Sequence, residues 1–294
     1  MSEKEFDAFT GTQTTGHEWD GIKELDTPMP KWWLWTFYAT ILFSIGYMIY
    51  YPAIPLVEGS TMGISGQTNR AALRQETAVV EEARREIVAG IESKELDDIR
   101  SDDQLNRFAL AGGASLFKVH CSQCHGSGAA GSPGYPNLND DDWIWGGDVA
   151  SIYTTIKHGV RDESDDDTRY SEMPAFGTDE VLEDTEIASI AEYVLKISGQ
   201  EFDAAQATSG EALFVDNCAA CHGETGLGDR EQGAPNLADA ISLYGADRAK
   251  LIAQMNQPKH GVMPAWGSRL TEAGIKQLAI YVHGLGGGEK SATE

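Results

Sequence analysis

Basic residues are scarce in this chain of 294 residues. It has 22 lysines and arginines against 46 aspartates and glutamates, a formal net charge of −24. Such a surface repels phosphate, so the composition argues against nucleic acid as a partner and favours a basic protein.

Cysteine is also scarce. The chain has four cysteines, all in two short motifs at residues 121–125 and 218–222. Each motif is Cys-x-x-Cys-His, the attachment signature of haem c. One helical turn places both thiols under the porphyrin vinyl groups and brings the next imidazole to the iron. Two covalent haem c groups are therefore predicted. The attachment residues would be Cys121, Cys124, Cys218 and Cys221, and the proximal iron ligands His125 and His222.

Other uses of four cysteines fit less well. A zinc ribbon needs two Cys-x-x-Cys pairs about 15–20 residues apart, much closer than these. A thioredoxin-like redox pair needs a strand–helix–strand context, which neither motif has. Two structural disulfides would not explain a histidine after each pair. Because bacteria attach haem c on the periplasmic side, both motifs are expected outside the cytoplasm.

Long apolar runs are absent except for one, from Trp32 to Tyr51. As a helix this run would span roughly 30 Å, the thickness of a bilayer's hydrocarbon core. Tryptophans gather at its start and tyrosines at its end, like the aromatic belts of membrane helices. A cleaved signal peptide fits poorly, because the run is long and the segment before it is mainly acidic. We predict a transmembrane helix over 32–55.

Basic residues predict the orientation of this helix. Lys23 and Lys31 precede it, and no lysine or arginine follows until Arg70. Positive residues mark the cytoplasmic side, so residues 1–31 are predicted as a cytoplasmic tail. The tail is polar without apolar periodicity, which predicts mostly disorder. Residues 56–107 are predicted as a periplasmic linker with a helical segment.

That helical segment carries a thin apolar stripe, which favours a solvent-exposed spacer. The stripe consists of Leu73, Val80, Ile87 and Ile91.

The rest of the chain is an internal duplication. Gly113–Phe117 before the first motif recurs as Gly210–Phe214 before the second, and a Met-Pro-Ala-aromatic-Gly segment follows each motif. Each copy ends in an amphipathic helix that a threonine is predicted to cap, Thr185 in the first and Thr271 in the second. We predict a mainly α protein: one N-terminal transmembrane helix, then two tandem domains of one fold at 108–200 and 205–288.

The repeated methionines, Met173 and Met263, are the predicted sixth iron ligands. Thioether ligation raises the haem potential and closes the iron to exogenous ligands, which suits electron transfer. The carbonyls of Pro136 and Pro235 are predicted to accept a hydrogen bond from the Nδ1–H of the proximal histidines.

Two further histidines and an acidic loop have more than one interpretation. His158 and His260 are expected to line the haem crevices rather than to bind iron. Residues 162–167 fit a solvated loop or, alternatively, a docking edge for a lysine-rich cytochrome, where steering would weaken with salt.

Each copy resembles a class I cytochrome c domain, in which the first and last helices cross. The whole chain is similar to the di-haem subunit III (the CcoP/FixP family) of cbb3-type cytochrome c oxidase. Leu25–Trp35 at the membrane entry, Phe108–Gly113 and the segment 124–131 carry this resemblance.

The resemblance implies an electron-transfer subunit that is not catalytic on its own. Such subunits accept electrons from a cytochrome c and pass them, through a mono-haem sister subunit, to the haem–copper subunit that reduces oxygen and pumps protons. The resemblance also implies that the two methionines can be exchanged, so that Met263 binds the first haem iron and Met173 the second. Sequence spacing does not decide between the two assignments. A free-standing anchored di-haem shuttle and a di-haem peroxidase stay as alternatives.

Overall fold

The computed structural model describes residues 4–239 and 241–290. Residues 1–3 of the predicted tail and residue 240 of the predicted second domain lie outside the described residues. The chain divides into two compact units, Met1–Ala83 and Arg84–Glu294.

The N-terminal segment forms a small antiparallel sheet, so the prediction of a mostly disordered tail was wrong. Its strands are β1 (Phe6–Asp7), β2 (Thr12–Trp19) and β3 (Ile22–Leu25), in the order β1-β2-β3. Asp20 and Gly21 connect β2 to β3 with φ values of 49° and 86°. An Asp-Gly pair with two positive φ angles is the preferred two-residue hairpin turn, and the threonines of β2 favour a strand. That dipeptide was the signal for the sheet.

The apolar run forms helix α1 (Lys31–Tyr50), and no residue of this helix is buried. Its length and composition are sufficient to cross a membrane. A long apolar helix without a protein partner needs an apolar surrounding, which agrees with a membrane anchor. The helix ends before residue 55, because the backbone is extended at Tyr51. Strands β4 (Pro55–Leu56) and β5 (Gly59–Ser60) then form a short hairpin.

The spacer interpretation is right for only half of the next helix, α2 (Asn69–Ser93). Leu73 and Val80 are 59% and 45% exposed, as a solvated helix requires. Ile91 is fully buried, and so is Ile99 on α3 (Leu96–Ser101). The end of α2 and α3 therefore belong to a packed core, which the thin stripe did not indicate.

Within residues 4–239 and 241–290, eight more helices complete the mainly α fold. They are α4 (Asp103–His120), α5 (Ser122–His125), α6 (Val149–His158), α7 (Asp184–Ile197), α8 (Ala204–Asn217), α9 (Ala219–His222), α10 (Arg248–Asn256) and α11 (Glu272–His283). Thr271 caps α11 by accepting a hydrogen bond from the Gly274 N–H, as predicted. Thr185 does not cap α7. Glu183 takes that position in a reciprocal capping box with Glu186, which satisfies two backbone N–H groups at once.

The second unit contains two helical lobes, and each takes helices from both sequence repeats. In the first lobe α4 packs against α11, with the rings of Phe117 and Tyr281 5.5 Å apart. In the second lobe α8 packs against α7, with the rings of Phe214 and Tyr193 5.1 Å apart. The haem-motif helix of each repeat therefore crosses the closing helix of the other repeat.

In chain order, one lobe is nested inside the other. Core residues of the first lobe come from 87–156 and 263–285, and those of the second from 173–255. We call them the outer lobe and the inner lobe. The connecting segments are tied together by backbone hydrogen bonds. Val160 and Met263 exchange two of them, at 2.9 and 3.0 Å, and Thr178 donates to the Asn256 carbonyl.

Candidate haem-binding sites

The first Cys-x-x-Cys-His motif forms a tight turn at the end of α4. The Cys121 N–H donates to the Phe117 carbonyl at 2.9 Å, and the His125 N–H donates to the Cys121 carbonyl at 3.0 Å. Gly126, with φ 79°, then ends the turn in a conformation that glycine adopts without strain. The buried helix thus fixes where both thiols and the imidazole lie.

The second motif repeats this geometry at the end of α8. The Cys218 N–H donates to the Phe214 carbonyl at 2.8 Å, and the His222 N–H donates to the Cys218 carbonyl at 2.9 Å. Gly223, with φ 75°, ends this turn. Equal geometry at both motifs makes a shared chemical role the simplest explanation.

Each proximal histidine is held by the proline carbonyl that the sequence predicted. Nδ1 of His125 lies 3.0 Å from the Pro136 carbonyl oxygen, and Nδ1 of His222 lies 3.0 Å from that of Pro235. With Nδ1 donating, Nε2 carries the free lone pair that a metal requires. Burial lowers the pKa of both imidazoles, although the proline bond partly opposes this shift. Both rings therefore favour the neutral, metal-binding form.

The cysteines of each motif differ in exposure. Cys121 and Cys218 lie at the edge of the core, whereas Cys124 and Cys221 are exposed. Burial, followed by repulsion from the second cysteine of the motif, raises the pKa of Cys121 and of Cys218 to about 11. Each motif thus has one thiol against the core and one at the surface, both within a single helical turn.

The two repeated methionines lie in opposite lobes from their own motifs. Met263 packs against the outer-lobe core together with Cys121. Met173 packs against the inner-lobe core, which contains Cys218. Each repeated methionine therefore packs against the same core cluster as the first motif cysteine of the other repeat.

His260 and His158 already have protein partners. Nε2 of His260 accepts a hydrogen bond from the Met173 N–H at 3.1 Å. Nδ1 of His158 lies 3.0 Å from a carboxylate oxygen of Asp165. His260 thus holds the backbone beside one repeated methionine.

The acidic loop 162–167 has a structural function that sequence reasoning missed. The Asp162 carboxylate accepts a hydrogen bond from the Ala265 N–H at 2.6 Å and a second from the Ser164 N–H at 2.9 Å. These bonds lower the pKa of Asp162 to about 2. Asp162 therefore holds the turn that follows Met263. Glu163, Asp166 and Asp167 are exposed.

The donor set of each site fits a haem c group. Each lobe offers two thiols on one helical turn, a neutral imidazole fixed through Nδ1, and a thioether at the edge of an apolar core. This combination, on a small helical lobe, defines the class of c-type cytochromes.

Matches of the sequence to protein-family models agree with the class of c-type cytochromes and identify a family within it. Residues 11–58 match the N-terminal domain of cytochrome oxidase-cbb3, FixP. Residues 108–194 and 205–282 both match cytochrome c oxidase, cbb3-type, subunit III. The chain belongs to the subunit III family of cbb3-type cytochrome c oxidase.

Individual relatives are similar over nearly the whole chain. The cbb3-type cytochrome c oxidase subunit CcoP of Cereibacter sphaeroides is 55% identical over 276 residues, covering 94% of this chain and 95% of the relative. The subunit FixPc of Rhizobium leguminosarum bv. viciae is 52% identical over 288 residues, covering 98% of this chain and 100% of the relative.

Proposed function

We propose that this chain is a membrane-anchored di-haem electron-transfer subunit of a cbb3-type terminal oxidase. It accepts electrons from a cytochrome c and relays them, through a mono-haem cytochrome c subunit, to the haem–copper subunit that reduces oxygen. The observation that carries this proposal is the pair of matched sites. Each has a Cys-x-x-Cys-His turn, a proline-held imidazole and a methionine, within a chain similar to named oxidase subunits over 94% of its length.

Each site is proposed to hold one haem c. Cys121 and Cys124 would attach the first haem, and His125 and Met263 would bind its iron. The second site is the counterpart, formed by Cys218, Cys221, His222 and Met173. When bound, the haem supplies a reversible one-electron couple. The chain would orient the haem through these residues, would exclude water from it with the lobe core, and would offer the methionine thioether to the iron.

The same donor set disfavours the peroxidase alternative. A di-haem peroxidase needs one haem with an open or switchable distal side. A methionine packs against the same core cluster as a motif cysteine in each lobe, which supports a closed sixth position at both haems. Peroxide turnover by the purified chain would contradict this proposal.

The location proposed for the chain follows from α1 and the haem motifs. Lys23 and Lys31 precede α1, which supports a cytoplasmic N-terminus by the positive-inside rule. Covalent haem attachment is a periplasmic process in bacteria, which supports a periplasmic location for both lobes. The chain is then a single-pass protein of the bacterial inner membrane.

The proposed electron donor is a basic cytochrome c, either soluble or membrane-anchored. A chain with a net charge of −24 attracts such a donor and steers its approach. The rate of reduction should fall as ionic strength rises, because salt screens this attraction. A flat dependence in stopped-flow measurements would remove the electrostatic part of the proposal.

Purification of the native membrane complex in mild detergent tests the oxidase role. We expect subunits containing b-type haem and copper to co-purify with this chain, together with a mono-haem c subunit. Haem spectra, metal analysis and mass spectrometry identify them. Recovery of the chain alone, with both haems bound, would favour a free-standing shuttle instead.

Single-haem variants test the methionine exchange. In Cys121→Ala/Cys124→Ala only the second haem can attach, so any methionine signal comes from that site. We expect Met173→Leu to abolish the charge-transfer band of the Met-ligated ferric haem in this background. Met263→Leu is the matched control and should leave the band in place. The reverse result would show that each haem takes the methionine of its own repeat.

A further inference from the structure

Two half-buried arginines lie on the segment that leads from the outer lobe to the inner lobe. They are Arg161 and Arg169, whose backbones are joined by a hydrogen bond from the Arg161 N–H to the Arg169 carbonyl at 2.8 Å. Among the described residues, neither side chain lies within ion-pair distance of a carboxylate. The chain has more than twice as many acidic as basic residues, so the lack of a carboxylate partner for either arginine is unexpected.

Arg169 also has an unused donor. Its Nε is the one buried side-chain nitrogen or oxygen without a hydrogen-bond partner in the part of the chain that the structure describes. Nη2 donates to the Ser151 carbonyl at 3.2 Å, and the guanidinium carbon lies 5.3 Å from the centre of a Trp145 ring. A buried donor left unsatisfied costs free energy, so such groups generally mark a bound partner or a functional role.

The charges around both arginines are insufficient to neutralise them. Burial lowers the pKa of Arg169, and Asp148 opposes this from a distance. The Asp148 carboxylate is occupied in capping α6, through the Ala150 and Ser151 N–H groups. Burial likewise lowers the pKa of Arg161, and the nearby charged or ionisable groups are Tyr244, Glu172 and Tyr170. An anion from outside the protein chain would supply the acceptor that the buried Nε of Arg169 lacks among the described residues.

Both arginines lie beside a proposed iron ligand. Val160, the neighbour of Arg161, exchanges two backbone hydrogen bonds with Met263, and the Arg169 N–H donates to the Gly159 carbonyl. The Arg169 guanidinium donates to the Ser151 carbonyl on α6 of the outer lobe and lies over the ring of Trp145, which packs on Gly233. The Arg161 side chain donates instead to the carbonyls of Gly261 and Ser171, at 2.8 Å each.

We propose that Arg169 binds a propionate carboxylate of the haem held by Cys121 and Cys124, with the buried Nε as one of its donors. The Arg161 side chain donates to the Ser171 carbonyl two residues before Met173, which makes it the counterpart for the haem held by Cys218 and Cys221. The proposal rests on the haem binding proposed above. Haem brings two carboxylates of its own, and a planar guanidinium is the side chain best suited to bind a carboxylate through two parallel hydrogen bonds.

This assignment gives both arginines a role in the redox potential. A fixed cation close to a haem stabilises the reduced state, which carries one electron more. Its removal should therefore lower the midpoint potential of that haem. An arginine with a purely structural role would not change the potential in this direction while the haem stays bound.

Spectroelectrochemical titration of the purified full-length chain in detergent tests the proposal. In Arg169→Gln we expect the equilibrium constant for reduction of one haem to fall about tenfold, which is about 59 mV for a one-electron couple. The propionate bending bands of the resonance Raman spectrum should change with it. Arg161→Gln should act on the other couple. Arg107→Gln is the control, because it removes the same charge from an exposed position on α4 and should change neither observable.

The outcomes separate this inference from the proposed function. Two haems bound per chain, with unchanged potentials and Raman bands in both variants, would overturn the propionate assignment and leave the relay intact. Absence of covalent haem in the unmodified chain would overturn the proposed function itself. If Arg169→Gln fails to retain haem, Arg169→Lys keeps the charge and should load haem with a smaller fall in potential. Failure of both variants to load haem would assign Arg169 to folding and contradict the inference.

Discussion

The outer and inner lobes repeat one fold but stabilise it differently. In the outer lobe the end of α2 and helix α3 add a layer of apolar side chains, including the fully buried Ile91 and Ile99. Lys276 ties this layer to α11 by donating to the carbonyls of Ile91, Glu92 and Lys94. The inner-lobe core contains no residues from α2 or α3.

In the inner lobe, the closing helix α7 carries a buried glutamate that forms an ion pair with an arginine of α10. The Glu192 side chain on α7 is 5% exposed and pairs with Arg248 at the start of α10. The same carboxylate accepts a hydrogen bond from the Asp203 N–H at 2.7 Å. Burial of apolar side chains stabilises a fold in proportion to the buried area. In a buried ion pair, the cost of removing the charges from water offsets much of their mutual attraction. A duplicated fold thus tolerates two different additions: an apolar layer on the outer lobe, and on the inner lobe a pair between the buried Glu192 and the half-exposed Arg248.

The largest effect is expected from the apolar layer. Ile91→Ala removes a fully buried side chain and should lower the free energy of unfolding of the outer lobe by about 2–5 kcal/mol. Leu73→Ala, on the exposed half of the same helix, should stay within about 0.5 kcal/mol. Denaturant unfolding followed by hydrogen exchange of each lobe measures both. Equal losses in the two variants would show that α2 is a spacer throughout.

A smaller free-energy effect is expected from the contact between α4 of the first repeat and α11 of the second, and a double-mutant cycle measures it. Phe117→Leu and Tyr281→Leu should show a coupling energy of about 0.5–1.5 kcal/mol, because the two rings are in contact. The cycle between Phe117 and Tyr193 should give a coupling near zero, since distant sites are additive. Coupling between Phe117 and Tyr193 instead would mean that each repeat closes on its own last helix.

The charge pair predicts a pH dependence confined to the inner lobe. The hydrogen bond from Arg248 lowers the pKa of Glu192 below its ordinary value of 4.5, although burial opposes this. Because the folded-state pKa is the lower one, the stabilisation is complete above about pH 4.5 and is lost as the pH falls through the folded value.

Two glutamate variants measure this dependence. In Glu192→Gln, the unfolding temperature of the inner lobe should fall less steeply as the pH is lowered below about 4.5. Thermal unfolding measured at a series of pH values shows this. Glu211→Gln removes the partner of Lys196 in an exposed pair and should have almost no effect. An equally steep fall in Glu192→Gln would contradict the assigned role of the charge pair.

Local chemistry was predictable from the sequence, and long-range packing was not. The Cys-x-x-Cys-His turns and the proline carbonyls on His125 and His222 follow from short-range spacing, and the structure confirms those hydrogen bonds. The closing helices α7 and α11 carry the same apolar periodicity, so either could cover either haem-motif helix. The pattern of one helix does not identify its partner when two equivalent surfaces exist.

Two other elements were missed for different reasons. The sheet of β1, β2 and β3 depends on an Asp-Gly turn at residues 20–21, a local signal that the overall polarity of the segment masked. The burial of Ile91 depends on helices that arrive much later in the chain, and nothing within α2 identifies them. Arg169 belongs to the second kind, because only the folded lobes show that its Nε is buried without a partner.

The nesting of the lobes sets an order for assembly. Phe214 and Tyr193 of the inner lobe are close in sequence, so their contact closes a short loop at a small entropic cost. Phe117 must wait for Tyr281, which emerges from the ribosome after the whole inner lobe. Contacts between near neighbours form faster than distant ones. The second Cys-x-x-Cys-His motif should therefore be enclosed before the first, and the first stays open to the haem-attachment machinery until the last helix docks.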